Sequence, residues 1–234
     1  MLLRILLTSL LISIAQPTWA ARPFVTDDAR LTTAGSCQLE SWTRIYRDYT
    51  EYWALPACNP TGNLEFTAGG GVTKYNSPSP YGGGNYVFQL KTLYKELETN
   101  SYGIGLAAGT LSHPSSTPGS NDLGNYYAYI PYSVSFADDT LITHVNMGYT
   151  FDKASKNGRT LYGFGAEVNI MPRLMIIAET FGDTGGNPYW QSGLRFSIIP
   201  NLFQMDATLG QQFGNNISNR WISFGLRFTP ASIF

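Results

Sequence analysis

Charge is scarce in this chain. Lys and Arg number 15 and Asp and Glu 16, together 13% of 234 residues, for a formal net charge of −1. A soluble domain of this length carries about a quarter charged residues, so an ordinary water-facing surface is under-supplied. Without a basic excess there is no electrostatic footprint for nucleic acid, and without an acidic block there is no solvating tail. There are only two cysteines and two histidines, and His113 and His144 lie too far from them and from each other for zinc-ligand spacing. After the first 20 residues no run approaches the ~20 apolar residues of a spanning helix. Gly69-Gly70-Gly71 sits in a strand-like pattern and lacks the Lys-Ser/Thr ending of a phosphate loop. No cofactor motif is present.

Glycine and aromatics are plentiful: 24 Gly, 15 Tyr, 13 Phe and 5 Trp. The opening reads as a secretory signal. Arg4 gives the positive start, Ile5 to Ala15 a mostly apolar run, and Thr18-Trp19-Ala20 a cleavage site. Removal of residues 1–20 leaves 234 − 20 = 214 residues. A mature chain without spanning helices can reside in a membrane only as a closed barrel, because only closure pairs every backbone group away from water.

The stretch Trp221 to Phe228 shows the pattern such a barrel needs. Ile222, Phe224, Leu226 and Phe228 fall on one face of a strand, and Ser223, Gly225 and Arg227 on the other. Alternating segments of this kind are predicted at about 37–46, 49–57, 63–74, 85–96, 102–110, 125–136, 141–151, 160–170, 174–181, 189–199, 203–212 and 219–228. Tight links (58–62, 98–101, 137–140, 171–173, 200–201) alternate with longer Gly/Ser/Asn loops (76–84, 113–124, 152–159, 182–188, 214–218). The link at Arg47-Asp48 is short on the long-loop side. Short turns on one rim and long loops on the other are the periplasmic and extracellular ends of an outer-membrane barrel. The expected fold is therefore an all-β, transmembrane, antiparallel up-and-down barrel of about 12 strands over 36–228. Both termini would lie in the periplasm. Residues 21–35 show no period and form a periplasmic lead-in or a partial plug; 229–234 form a C-terminal tail.

Facing residues in an antiparallel hairpin have a constant index sum. A turn at Pro200-Asn201 pairs Arg195 with Asp206, Phe196 with Met205 and Ile198 with Phe203. A tip at Arg47-Asp48 pairs Arg44 with Glu51, Trp42 with Trp53 and Cys37 with Cys58. A tip at Asp138-Asp139 pairs Tyr132 with Val145, Ile130 with Met147 and Ser133 with His144. Cys37 and Cys58 would then lie side by side at the oxidising periplasmic end, as a disulfide or as two thiols; loop-closure entropy puts the bond at about 3 kcal/mol. The same alternation turns Glu40, Glu51, Glu65, Glu167, Glu179 and Asp206 into the lumen. Against them stand Arg44, Lys91, Lys95, Arg195 and Arg227. Near-equal numbers of acids and bases suit structural ion pairing. A dozen strands enclose a lumen between a filled eight-strand barrel and a wide porin, which suits a narrow pathway.

Ser133 and His144, with Asn146 two residues on, are the residue types of a nucleophile, base and orienter. Their predicted place inside the barrel, away from lipid, favours a plain hydrogen bond over a hydrolase.

Several runs resemble one bacterial family. Arg22-Pro23-Phe24-Val25-Thr26-Asp27-Asp28-Ala29 with Gln38-Leu39-Glu40 is similar to the mature start of outer-membrane transporters grouped with the meta-cleavage pathway of phenol degradation. Leu55-Pro56-Ala57, Pro60-Thr61-Gly62-Asn63-Leu64-Glu65 and Gly225-Leu226-Arg227-Phe228-Thr229-Pro230 are similar to it too. The resemblance implies a passive transporter or narrow channel for small solutes, hydrophobic or aromatic ones among them, in the outer membrane of a Gram-negative envelope. It carries over no site residues and lends nothing to the disulfide. The expected partners are the outer-membrane lipid bilayer, the barrel-assembly machinery, which reads a terminal aromatic such as Phe234 or Phe228, and an unidentified small solute. The competing expectation is a non-conducting structural or surface-interaction barrel.

Overall fold

The computed structural model describes residues 25–76, 83–113, 121–153, 155–214, 219–231 and 233. The signal segment, residues 114–120 of the longest loop and Phe234 lie outside the described residues; His113 and residues 121–124, expected in that loop, belong to strands.

Twelve strands follow one another: β1 (Ser36–Tyr46), β2 (Tyr49–Asn59), β3 (Glu65–Tyr75), β4 (Gly84–Lys95), β5 (Tyr102–His113), β6 (Asn121–Phe136), β7 (Leu141–Asp152), β8 (Asn157–Met171), β9 (Leu174–Asp183), β10 (Tyr189–Ile199), β11 (Phe203–Gln212) and β12 (Trp221–Phe228). Each pairs antiparallel with its neighbour in sequence, and β1 also pairs with β12, Glu40 opposite Arg227 and Trp42 opposite Gly225. Closure leaves no edge, so the backbone is satisfied within the wall. The chain is a transmembrane antiparallel β-barrel of the up-and-down kind. The rim where β1 begins and β12 ends is called here the near end, and the opposite rim the far end.

The period-2 signal sorts side chains across the wall. On β12, Trp221, Ser223 and Arg227 are each about 2% exposed, whereas Ile222, Phe224, Leu226 and Phe228 are half-exposed. The outward band on other strands is equally apolar, with Phe88, Leu90, Ile130, Val145, Met147, Phe164 and Ile176 on its surface. Tyrosines mark its borders. Tyr52, Tyr86, Tyr126 and Tyr149 lie outward towards the far end, and Tyr94, Tyr102 and Tyr132 towards the near end. Two aromatic girdles around an apolar band fit a barrel sized to hydrocarbon between two headgroup layers.

The predicted registers are those found at Arg195–Asp206, Phe196–Met205, Arg44–Glu51, Trp42–Trp53, Tyr132–Val145, Ile130–Met147 and Ser133–His144. Cys37 and Cys58 face each other and form a disulfide with an S–S distance of 2.09 Å. The pair Ile198–Phe203 does not form. A bulge after Ser197 advances β10 by one residue, so Ile199 faces Phe203. The extra residue is absorbed at the near-end turn, where Asn201 takes a positive φ of 60° and Leu202 N–H closes onto the Ile199 carbonyl.

A second bulge corrects the placement of Lys95. The β4–β5 ladder slips between Leu93 and Lys95, so Lys95 pairs with Ile104 and leaves the lumen side. Its Nζ donates to the Tyr102 carbonyl at 2.6 Å and to Ser101 Oγ at 2.8 Å, and lies 4.4 Å from the centre of the outward Tyr102 ring. Lys95 therefore belongs to the near-end rim and its girdle.

The tail folds back on the near end. Thr229 N–H donates to the Leu202 carbonyl, Ser36 Oγ donates to the Pro230 carbonyl at 2.7 Å with that of Ala231 3.0 Å away, and Ile233 N–H donates to the Gly35 carbonyl.

Candidate functional site

The lumen is occupied by the segment that precedes the first strand. From the near end, Asn59 Nδ2 donates to the Thr32 carbonyl at 2.7 Å, and Thr32 N–H donates to Glu65 at 2.6 Å. Deeper in, Ala29 N–H donates to Ser133 Oγ at 2.9 Å and the Ala29 carbonyl accepts from Leu97 N–H. At mid-lumen, Glu179 accepts from both Val25 N–H and Thr26 N–H, each at 2.7 Å. An unpaired buried amide costs roughly 1–3 kcal/mol, and here wall side chains satisfy the segment's amides in place of a strand partner. Two inward glycines make room. A Cβ on Gly103 would stand 2.9 Å from the Ala29 Cβ, and one on Gly163 would stand 2.5 Å from Thr26 Oγ1.

Charges on the segment join those on the wall. Asp27 Oδ1 meets Lys91 Nζ at 2.8 Å, and its other oxygen accepts the Tyr129 hydroxyl at 2.7 Å. Asp28 lies 3.5 Å from both Lys91 Nζ and Arg30 Nη1. Glu167 takes Arg195 Nη1 at 3.1 Å and stands 3.9 Å from Arg30 Nη1. Buried charges persist when each has a counter-charge and hydrogen bonds. Each of these has a counter-charge within 3.9 Å, partly through residues 27, 28 and 30. In the orientation that satisfies both amide atoms, Asn146 clasps the Asp27 main chain: Nδ2 donates to its carbonyl at 2.8 Å and Oδ1 accepts its N–H at 2.7 Å.

Of the residues expected in the lumen, Glu65, Lys91, Glu167, Glu179, Arg195, Asp206 and Arg227 are buried inside the barrel. Glu40 sits 3.9 Å from Arg227, whose Nη2 donates to Gln38 Oε1. Arg44 and Glu51 lie further towards the far end, 3.9 Å apart. Arg195 faces Asp206 across the ladder to β11, but its short contact is with Glu167 on β8, two strands away on the other side.

Beyond Thr26 the lumen widens into two cavities that share Val25, Gln89 and Tyr129. One, of about 610 Å³, runs along Tyr127, Phe181 and Tyr189 to Arg159 and Asp183 at the far rim. The other, of about 280 Å³, lies between Lys91, Glu40 and Arg44 and the parallel indoles of Trp42 and Trp53, whose centres are 5.4 Å apart. Trp221, buried on the inner side of β12, lies 5.2 Å from the Arg44 guanidinium. Stacked aromatics offer flat apolar faces worth about 0.5–1.5 kcal/mol per pair.

Ser133 and His144 meet inside the wall, Oγ to Nδ1 at 2.8 Å. Asn146 does not orient the imidazole, since it holds Asp27; Nε2 instead faces Glu167 at 4.0 Å. Ser133 Oγ already accepts the Ala29 N–H and, like His144, is wholly enclosed. A nucleophile needs an open path to its substrate, and here the lumen segment covers it. The arrangement holds the segment in place.

Sequence reasoning missed Asp27, Asp28 and Arg30, along with Gln89 and Tyr129, and gave Asn146 to the imidazole when it holds the Asp27 main chain. The first three stand in a stretch without period, and the others are neutral. The one available signal was the density of charge in Asp27-Asp28-Ala29-Arg30 within a chain that is poor in charge.

The family model described as "Uncharacterised conserved protein UCP029691" matches residues 8–229. None of the curated proteins matches the chain. Among solved structures the fold is similar to the KdgM porin in complex with disordered oligogalacturonate (TM-score 0.64, 10% identity, covering 83% of this chain and 99% of that one). It is also similar to the NanC porin (TM-score 0.57, 10% identity, 83% and 100%). A third likeness is to outer membrane phospholipase A from Escherichia coli (TM-score 0.52, 12% identity, 89% and 93%). At these identities the likeness is one of fold.

Proposed function

Taking as premise that the chain belongs to the family described as Uncharacterised conserved protein UCP029691, we propose that it is an outer-membrane channel. It would pass small solutes passively, hydrophobic and aromatic ones among them, with both termini in the periplasm. The observation that carries this reading is the contrast across one wall. The outside presents a lipid-compatible apolar band, and the inside a polar, aromatic-lined lumen with cavities of about 610 and 280 Å³. A barrel that served only as a membrane scaffold would gain nothing from leaving such space open.

Residues 25–32 act as a partial plug in this reading, and passage requires the segment to shift. The porin-like fold supports a channel, and the resemblance to the phenol-pathway transporters supports the solute class. The enclosure of Ser133 argues against a hydrolase.

The test is solute-induced swelling of liposomes containing the mature protein, run beside a variant lacking residues 25–32. The channel reading expects slow swelling with the wild type and faster swelling with the deletion. Silence from both, across neutral, aromatic and charged solutes, would leave the non-conducting structural barrel.

A further inference from the structure

Asp27 is seated as a ligand would be. Each of its carboxylate oxygens has its own donor, Lys91 Nζ on β4 at 2.8 Å and the Tyr129 hydroxyl on β6 at 2.7 Å. Lys91 is 3% exposed, so the site needs an anion, because an uncompensated buried ammonium costs several kcal/mol. Asp28 approaches the same Nζ at 3.5 Å, but its side chain is sealed (1% exposed) while that of Asp27 is 19% exposed. The cavity of about 280 Å³ opens on Asp27.

We propose that Lys91 and Tyr129 form a binding site for a small organic monocarboxylate, filled at rest by the chain's own Asp27, and that a solute enters by displacing it. The inference rests on reading the lumen as a solute pathway. The cavity defines the rest of the ligand. An apolar pocket of roughly 150 Å³ holds benzene, so a space of this size admits a single-ring body against Trp42 and Trp53. Glu40 and Glu65 line the same cavity and disfavour a second negative charge on the ligand. Glu65 sits opposite Lys91 in the ladder but gives one oxygen to Thr32 N–H, which leaves Asp27 as the carboxylate that an incoming solute meets. Tethered to the segment and clasped by Asn146, Asp27 competes at high effective concentration, so the resting barrel binds such a solute weakly.

The test is calorimetric titration of the full mature chain in detergent with benzoate, and with benzamide as its uncharged counterpart. In Asp27→Ala, which leaves the barrel ladder untouched, benzoate should bind at least about tenfold tighter than in wild type, as expected for removal of an internal competitor. Benzamide should bind both forms alike. Adding Tyr129→Phe to Asp27→Ala should weaken benzoate about tenfold, the scale of one hydrogen bond to a charged group, and leave benzamide unchanged. Equal benzoate affinity in wild type and Asp27→Ala, equal binding of benzoate and benzamide to Asp27→Ala, or no binding to that variant would each overturn the proposal. Binding in detergent needs no passage across a membrane. A barrel that binds benzoate yet stays silent in liposomes would overturn the channel reading alone.

Discussion

Glu179 accepts the main-chain N–H of Thr26 at 2.7 Å, across 153 positions of sequence. The same carboxylate accepts Val25 N–H, and Gln191 Nε2 donates to it from β10. One strand residue thus fixes the deepest described point of the lumen segment. Glu179→Leu should free both amides while the barrel ladder persists. A hydrogen bond to a charged group is worth about 1.5–3 kcal/mol, so exchange of the Val25 and Thr26 amides should accelerate about tenfold or more. Hydrogen exchange read by mass spectrometry checks this, with the β-strand amides as the unchanged control.

Gly163 offers a steric route to the same displacement. Its missing Cβ leaves the space that Thr26 Oγ1 fills, 2.5 Å from where the atom would be. Gly163→Ala should push the segment away and raise Thr26 exchange, as Glu179→Leu does. Adding Thr26→Gly should reverse the effect. The double substitution should therefore be non-additive, which identifies direct contact as the cause.

The Cys37–Cys58 bond ties two strands already joined by a short far-end turn. Replacing both cysteines by serine should destabilise the barrel by at most about 3 kcal/mol, the loop-closure value. Urea unfolding from lipid vesicles gives the difference. Dithiothreitol should lower the wild-type midpoint towards that of the double variant and leave the latter unmoved.

Lipid contact makes a contrasting demand one residue away from a buried cation. Leu226 points outward from β12, and Arg227 inward to Gln38 and Glu40. Leu226→Arg should cost on the order of 2 kcal/mol of folding free energy in a bilayer. Leu226→Phe should cost little. The same urea titration in vesicles reads both.

Most of the barrel was legible because its information is local. Alternation along β12 puts Phe224 outside and Ser223 inside whatever the neighbouring strand is, and a short turn fixes the index sum of its hairpin. Hence Arg44–Glu51 and Ser133–His144 could be read from residue numbers. The arithmetic failed at Ile198 and the alternation at Lys95, where one extra residue in a bulge resets the register and no residue type announces it. The lumen segment was legible only as a choice between lead-in and plug. Its hydrogen bonds run to Glu65, Ser133 and Glu179, on β3, β6 and β9, and no local period records partners so far apart.

By itself, then, the order of residues determined the wall away from its bulges: strand number, inside and outside, hairpin pairing, and the meeting of Cys37 with Cys58. Each follows from forces acting over a few neighbouring positions. Only closure of the sheet decided what stands in the middle. It brought Lys91 from β4 and Tyr129 from β6 onto one carboxylate of a segment that has no strand partner. The reason is geometric, since a lumen exists only once β1 has met β12, and until then its facing residues share no space.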